Sequence, residues 1–192
     1  FASHHPGVEL ELTVALSGTL FELLDAGELD LVLAKRRVGL QQRRAARSGI
    51  VVWSERLVWA ARDSSLIDSS RPLPLVVFPR PSITRSAAIE ALDRIGVTWR
   101  ISCTSGSLSG LRAAALAGLG VMVQPRSMVP PGLSILATGD YLPELEEVEF
   151  ILTSTRDELD GIAAQLATEI LGKNVRLGPE PQIDTKRRAG KF

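Results

Sequence analysis

The chain has 192 residues, enough for one large domain or two small lobes. Hydrophobic residues make up 45% and charged residues 23%, the balance of a globular domain, and Lys plus Arg equals Asp plus Glu at 22 each. Zero net charge argues against a module that grips DNA by itself, and a single cysteine excludes an internal disulfide or a cysteine metal cluster.

Phe1-Ala2 reads as the end of a helix running into the Pro6-Gly7 turn, so the sequence is expected to be part of a longer chain. The only two histidines, His4 and His5, read as a solvated pair beside that turn, and no metal site is expected. Val8 to Leu16 (VELELTVAL) puts Val8, Leu10, Leu12 and Val14 on one face, the period of a strand. Thr19 and Glu22 have the spacing of a capping box and start a helix carrying Leu20, Leu23 and Leu24, which stops at Gly27. Leu29 to Ala34 is a nearly continuous apolar run and predicts a buried parallel strand. Lys35 to Arg47 is a basic surface loop. Ile50 to Ala61 predicts one or two strands, bent or broken near Ser54-Glu55-Arg56, and Arg62 to Leu73 a loop.

A second block repeats this plan. Pro74 to Phe78 is a strand, Pro79-Arg80-Pro81 a turn, and Ala88, Ile89, Leu92 and Ile95 fall at helical spacing in a helix from about Thr84 to Ile95. Thr98 to Thr104 returns as a strand, with Cys103 sharing a face with Trp99 and Ile101 and expected to pack rather than to react. Trp53 and Trp59 are likewise expected to pack. A helix from Ser107 to Ala117 and a strand from Gly120 to Gln124 follow. Pro130 to Pro143 is turn-rich, with a short strand at Leu133 to Leu136, and Val148 to Thr153 is a further strand. Thr155 and Glu158 form a second capping box, opening a helix with Leu159, Ile162, Ala163, Leu166 and Ile170 on one face and Gly172 at its end. From Asn174 the chain is polar and finally basic (Lys186, Arg187, Arg188, Lys191), a disordered tail. No apolar run is long enough to span a bilayer and no signal peptide opens the sequence, so a cytoplasmic location without membrane attachment is expected.

Open α/β sheets bind ligands beyond the carboxyl ends of their strands. Those positions hold Lys35 and Arg36 after the first block's second strand, Ser82 and Thr84 after Pro74 to Phe78, and Ser105, Gly106 and Ser107 after Thr98 to Thr104. Hydroxyls, fixed positive charge and backbone N–H groups at two helix starts suit a carboxylate or another anion. Thr84, Ser105 and Ser107 also read as helix caps, and Lys35 and Arg36 also read as a solvated basic run.

Several short motifs carry a resemblance together. FASHHPGVELEL matches a pattern F-x-x-x-x-P-G-V-x-L-x-L. LFELLDAGELDLVLA, VVWSERLVWAARDSS, PLPLVVF and AGLGV with a following strand and Pro-Arg come after it in order. In this order and spacing the sequence resembles the effector-binding (substrate-binding) domain of LysR-type transcriptional regulators along nearly all of residues 1–173. The resemblance implies an α/β, periplasmic-binding-protein-like (type II) fold. Two α/β lobes are joined by two crossover strands near Val51 to Ala61 and Glu147 to Thr153. Residues 1–55 and 149–173 would form lobe I, 56–148 lobe II, and 174–192 the tail.

The resemblance further implies a small effector in the cleft between the lobes, a homodimer or homotetramer, and DNA contact only through an N-terminal winged helix-turn-helix that this sequence does not contain. Family members also begin the domain with a further strand and helix ahead of the position of Phe1, so lobe I is expected to be incomplete. No acid/base or nucleophile set stands out, and neither an enzyme nor a cofactor is expected. The alternative is a solute-binding protein of a transporter with the same fold, which would carry a secretory signal.

Overall fold

The computed structural model describes residues 1–38, 49–154 and 161–172. The basic stretch at 39–48, the Thr155 and Glu158 capping box with Leu159, and the tail at 174–192 lie outside the described residues. The elements are α1 (Ser17–Asp25), β1 (Leu31–Arg37), β2 (Ile50–Ala61), β3 (Leu73–Val77), α2 (Ile83–Arg94), β4 (Trp99–Thr104), α3 (Leu108–Leu116), β5 (Met122–Pro125), β6 (Ser134–Ile135), β7 (Glu147–Ser154) and α4 (Gly161–Gly172). They fall into two compact units, one within Phe1–Ser54 and Val148–Arg176, the other within Glu55–Glu147. The chain passes between them twice, in β2 after Ser54 and in β7 after Glu147.

In the first unit α1 buries Leu24 against Val32 and Ala34 of β1, with Leu20, Phe21 and Leu29 around them. β1 pairs β7 antiparallel, Val32 opposite Thr153 and Ala34 opposite Ile151. The parallel strand expected at Leu29 to Ala34 is therefore an antiparallel one, shifted to Leu31–Arg37. Its burial alternates, because only one face meets α1 while Leu33 on the other stays 37% exposed. Trp53 stacks on Phe150 with ring centroids 4.0 Å apart, the packing role expected of it.

Two local expectations fail here. Val8 to Leu16 forms no strand, and Leu12 and Val14 are 88% and 87% exposed. Alternation becomes a strand only where a neighbour supplies a hydrogen-bonded edge, and no described residue pairs with this segment. The capping box also does not form: α1 starts at Ser17, with Leu16 at the N-cap and no side-chain cap, leaving Thr19 inside the first turn.

In the second unit β3 and β4 run parallel, from Leu73 opposite Trp99 to Val77 opposite Thr104, with one register shift between Leu75 and Val76. β5 joins the other edge of β3 through a parallel bridge, Val121 N–H donating to the Pro74 carbonyl at 2.8 Å and Val76 N–H to the Val121 carbonyl at 2.9 Å. β2 then adds antiparallel to β5, and β6 pairs β2. β2 is one continuous strand, not the broken pair expected near Ser54-Glu55-Arg56.

Gly120 lets β3 and β5 approach, since a Cβ there would lie 2.5 Å from the Pro74 carbonyl oxygen. Trp59 is fully buried and donates its Nε1–H to the Pro143 carbonyl at 2.8 Å, which removes the cost of burying that N–H. Cys103 is half-buried, because β4 is the edge strand of this sheet and Ile101 on it is 38% exposed.

The connections matter for function. From β3 the chain crosses through α2 to β4 on one side, then returns through α3 to β5 on the other side of β3. The order of strands thus reverses between β3 and β5, the kind of switch point beside which doubly wound sheets hold ligands.

Candidate functional site

Five of the seven residues singled out from the sequence stand at the carboxyl edge of the second unit's parallel strands. Ser82 is the N-cap of α2, its Oγ accepting the Arg85 N–H at 3.3 Å. Thr84 is buried in the first turn of that helix, its Oγ1 3.3 Å from Ser82 Oγ. On the neighbouring strand, Ser107 is the N-cap of α3 and accepts the Gly110 N–H at 3.1 Å.

Ser105 N–H donates to the Val77 carbonyl at 3.1 Å, extending the β3–β4 pairing to the edge itself. Its Oγ accepts the Ser107 N–H and donates to the Ser107 carbonyl, each at 3.3 Å, fixing the Ser105-Gly106-Ser107 turn, of which Gly106 and Ser107 are exposed. Two helix N-termini, each with partial positive charge, therefore leave adjacent parallel strands at one edge. The serines cap, as any helix start would require, yet that role leaves the other N–H groups of each first turn available.

Lys35 and Arg36 belong to the first unit and lie inside β1 instead of on a loop beyond it. Lys35 N–H donates to Ser17 Oγ at 3.1 Å, and Arg36 Nε contacts Glu149 Oε2 at 2.6 Å. The Arg36 guanidinium is thus neutralised by a carboxylate on the paired strand, so it offers little free charge to an anion. The seven residues do not form one cluster in either unit.

Two residues that the sequence reading passed over stand at the same edge. Arg85, in the first turn of α2, donates through Nη1 to the Phe78 carbonyl at 3.2 Å, while its buried Nε has no hydrogen-bond partner. Gln124, the third residue of β5, is 1% exposed and its Nε2 has no partner. A signal for Gln124 was available: it interrupts the apolar run VMV in a strand expected to be buried. Arg85 carries no such mark, being one cation on a helix. Among the described residues no group of three or more His, Cys, Asp or Glu could hold a metal, and no helix is long and apolar enough to cross a membrane.

A family model described as the LysR substrate binding domain matches residues 1–172. The chain belongs to the LysR substrate-binding domain family. Among curated relatives it is 27% identical to the HTH-type transcriptional regulator PecT of Dickeya dadantii over 152 residues, covering 79% of this chain and 46% of that protein. It is 28% identical to the HTH-type transcriptional regulator DgdR of Burkholderia cepacia over 170 residues, covering 88% and 56%. This LysR domain thus spans about half the length of the curated relatives it matches. Among solved structures, the regulatory domain of CcmR from Synechocystis PCC6803, in complex with 2-PG, superposes with a TM-score of 0.68 at 18% identity, covering 91% of this chain and 88% of that one. The fold is the periplasmic-binding-protein-like fold of LysR regulatory domains.

Proposed function

We propose that this LysR domain is the ligand-sensing part of a transcriptional regulator and that its effector is a small anionic metabolite. The anionic group is held at the carboxyl edge of β3 and β4, against the N-termini of α2 and α3. Ser82, Thr84, Ser105, Gly106 and Ser107 supply the contacts. Lys35 and Arg36 belong to the other unit and are given no contact in this site, and Arg36 is already paired with Glu149. The observation that carries this reading is the pair of helix N-termini, capped by Ser82 and Ser107, opening side by side from adjacent parallel strands.

The two compact units are read as the two lobes of the domain. The partners are the effector, a second copy of the chain, and DNA reached through a helix-turn-helix outside residues 1–172, in the cytoplasm. This reading draws on relatives that are themselves named transcriptional regulators. Those names give the transporter alternative no support, and no catalytic activity is proposed. For the effector to change DNA binding, it must favour one state of the regulator over another by about 1–3 kcal/mol.

Titration calorimetry of the chain against a panel of small carboxylates and their neutral amide counterparts tests the proposal. Saturable binding of at least one acid and not of its amide is expected. Binding only of neutral or cationic compounds would sink it.

A further inference from the structure

Two buried donors without acceptors stand at the switch point between β3 and β5. Gln124 lies three residues beyond the parallel Leu75–Val121 bridge on one strand, as Phe78, the residue that follows β3, does on the other. Arg85 is tied to that same Phe78 by the 3.2 Å hydrogen bond from Nη1 to its carbonyl, and α2 packs directly against β5. Gln124 Nε2 and Arg85 Nε are therefore brought to one end of the sheet by two different elements, and both are shut off from water with no partner.

A buried donor left unmade is costly, and a leucine at position 124 would fill a similar volume without that cost. The neighbouring strand positions, Val121, Met122 and Val123, are apolar and at most 5% exposed, so nothing in the strand itself calls for an amide. Both unpaired atoms are N–H donors and one belongs to a cation. Ser82 and Thr84 add hydroxyls at the helix start beside them. Such a set is complementary to an oxyanion, because each donor would find a charged acceptor in a water-poor setting.

We infer that Arg85 and Gln124 are specificity-determining residues of this site and read the acid group of the effector, a carboxylate or a phosphate, through Nε–H and Nε2–H. The inference rests on the proposed ligand-sensing function, and adds to it which side chains distinguish an acid from its neutral analogue. The guanidinium supplies charge. The amide supplies direction, since it donates without competing for a proton.

The test uses the full chain labelled with nitrogen-15, titrated with sodium benzoate, inorganic phosphate and benzamide while the side-chain N–H signals of Gln124 and Arg85 are followed. Benzoate or phosphate should move both signals saturably, the effective probe telling carboxylate from phosphate recognition, and benzamide should move neither. Gln124→Leu should bind the effective anion about tenfold to a hundredfold more weakly, the loss expected for a hydrogen bond to a charged group. Its melting temperature should be unchanged or higher, because the unpaired donor is gone; were this variant to misfold, the wild-type signals still decide. Saturable anion binding that leaves both signals still and is indifferent to Gln124→Leu overturns this inference while leaving the proposed function standing. Absence of binding by every probe removes both, as would a signal shift common to benzoate and benzamide for the acid-reading role alone.

Discussion

Single side chains set the edge where the two helices begin. Removing the N-cap hydroxyl in Ser107→Ala should cost about 1 kcal/mol, measured by denaturant unfolding, because Gly110 N–H loses its acceptor. Gly110→Ala asks a different question. A Cβ there collides with the Ser105 side chain, while alanine itself favours a helix over glycine by about 1 kcal/mol. The expected signature is therefore loss of anion affinity with little change in stability.

Away from the site, Asp63 shows how a turn fixes a carboxylate. The Ser65 hydroxyl, the Arg62 guanidinium and the Ser65 N–H hold its pKa at about 2 against an ordinary 3.8. A folded pKa below the unfolded one gives stability that is present above pH 3.8 and drains away as the pH falls towards 2. Asp63→Ala should thus be destabilised by roughly 0.5 kcal/mol at neutral pH, since the group is exposed and screened. In acid-unfolding curves that gap should close as the pH falls.

Local sequence announced the serine cap at 107, because a Ser just ahead of an apolar helical run has a mechanism attached to it; for α2 it pointed to Thr84, which lies inside the first turn while Ser82 is the cap. It could not announce Arg85 and Gln124. Their interest lies in what they lack, partners for buried donors, and that is a tertiary property.

Among the elements, those whose burial is decided nearby were legible: β3, α2, β4, α3 and β5 all fall within a residue or two of their expected bounds. Those that depend on a partner were not. VELELTVAL has the period of a strand, yet Leu12 and Val14 remain exposed because no described strand lies beside them. β1 was misjudged in both ends and direction, since Lys35, Arg36 and Arg37 continue the ladder opposite Phe150, Glu149 and Val148. An Arg–Glu pair across an antiparallel ladder is a register effect that no short window contains.

The β3–β5 contact is sensitive to volume. Gly120→Ala would press a methyl onto the Pro74 carbonyl and Ser102 Oγ, and a loss of about 1–3 kcal/mol is expected in thermal unfolding. Truncating Trp59 to alanine removes the largest fully buried side chain and strands the Pro143 carbonyl; about 3–5 kcal/mol is expected.

For the molecule as a whole, composition and motif order carried the fold class, and the match to the LysR substrate-binding domain over residues 1–172 agrees with it. Balanced charge fits the proposed sensing role. What composition could not carry is the location of the site. The proposed site is the carboxyl edge of the second unit's parallel strands, where α2 and α3 begin and where Arg85 Nε and Gln124 Nε2 are buried without a partner.

Hydrogen–deuterium exchange with and without a binding carboxylate tests that location most directly. Ligand-dependent protection should concentrate in residues 78–86 and 105–111, the two helix starts and the strand ends that feed them. Protection confined to β1 and α1, with these two segments unchanged, would contradict it.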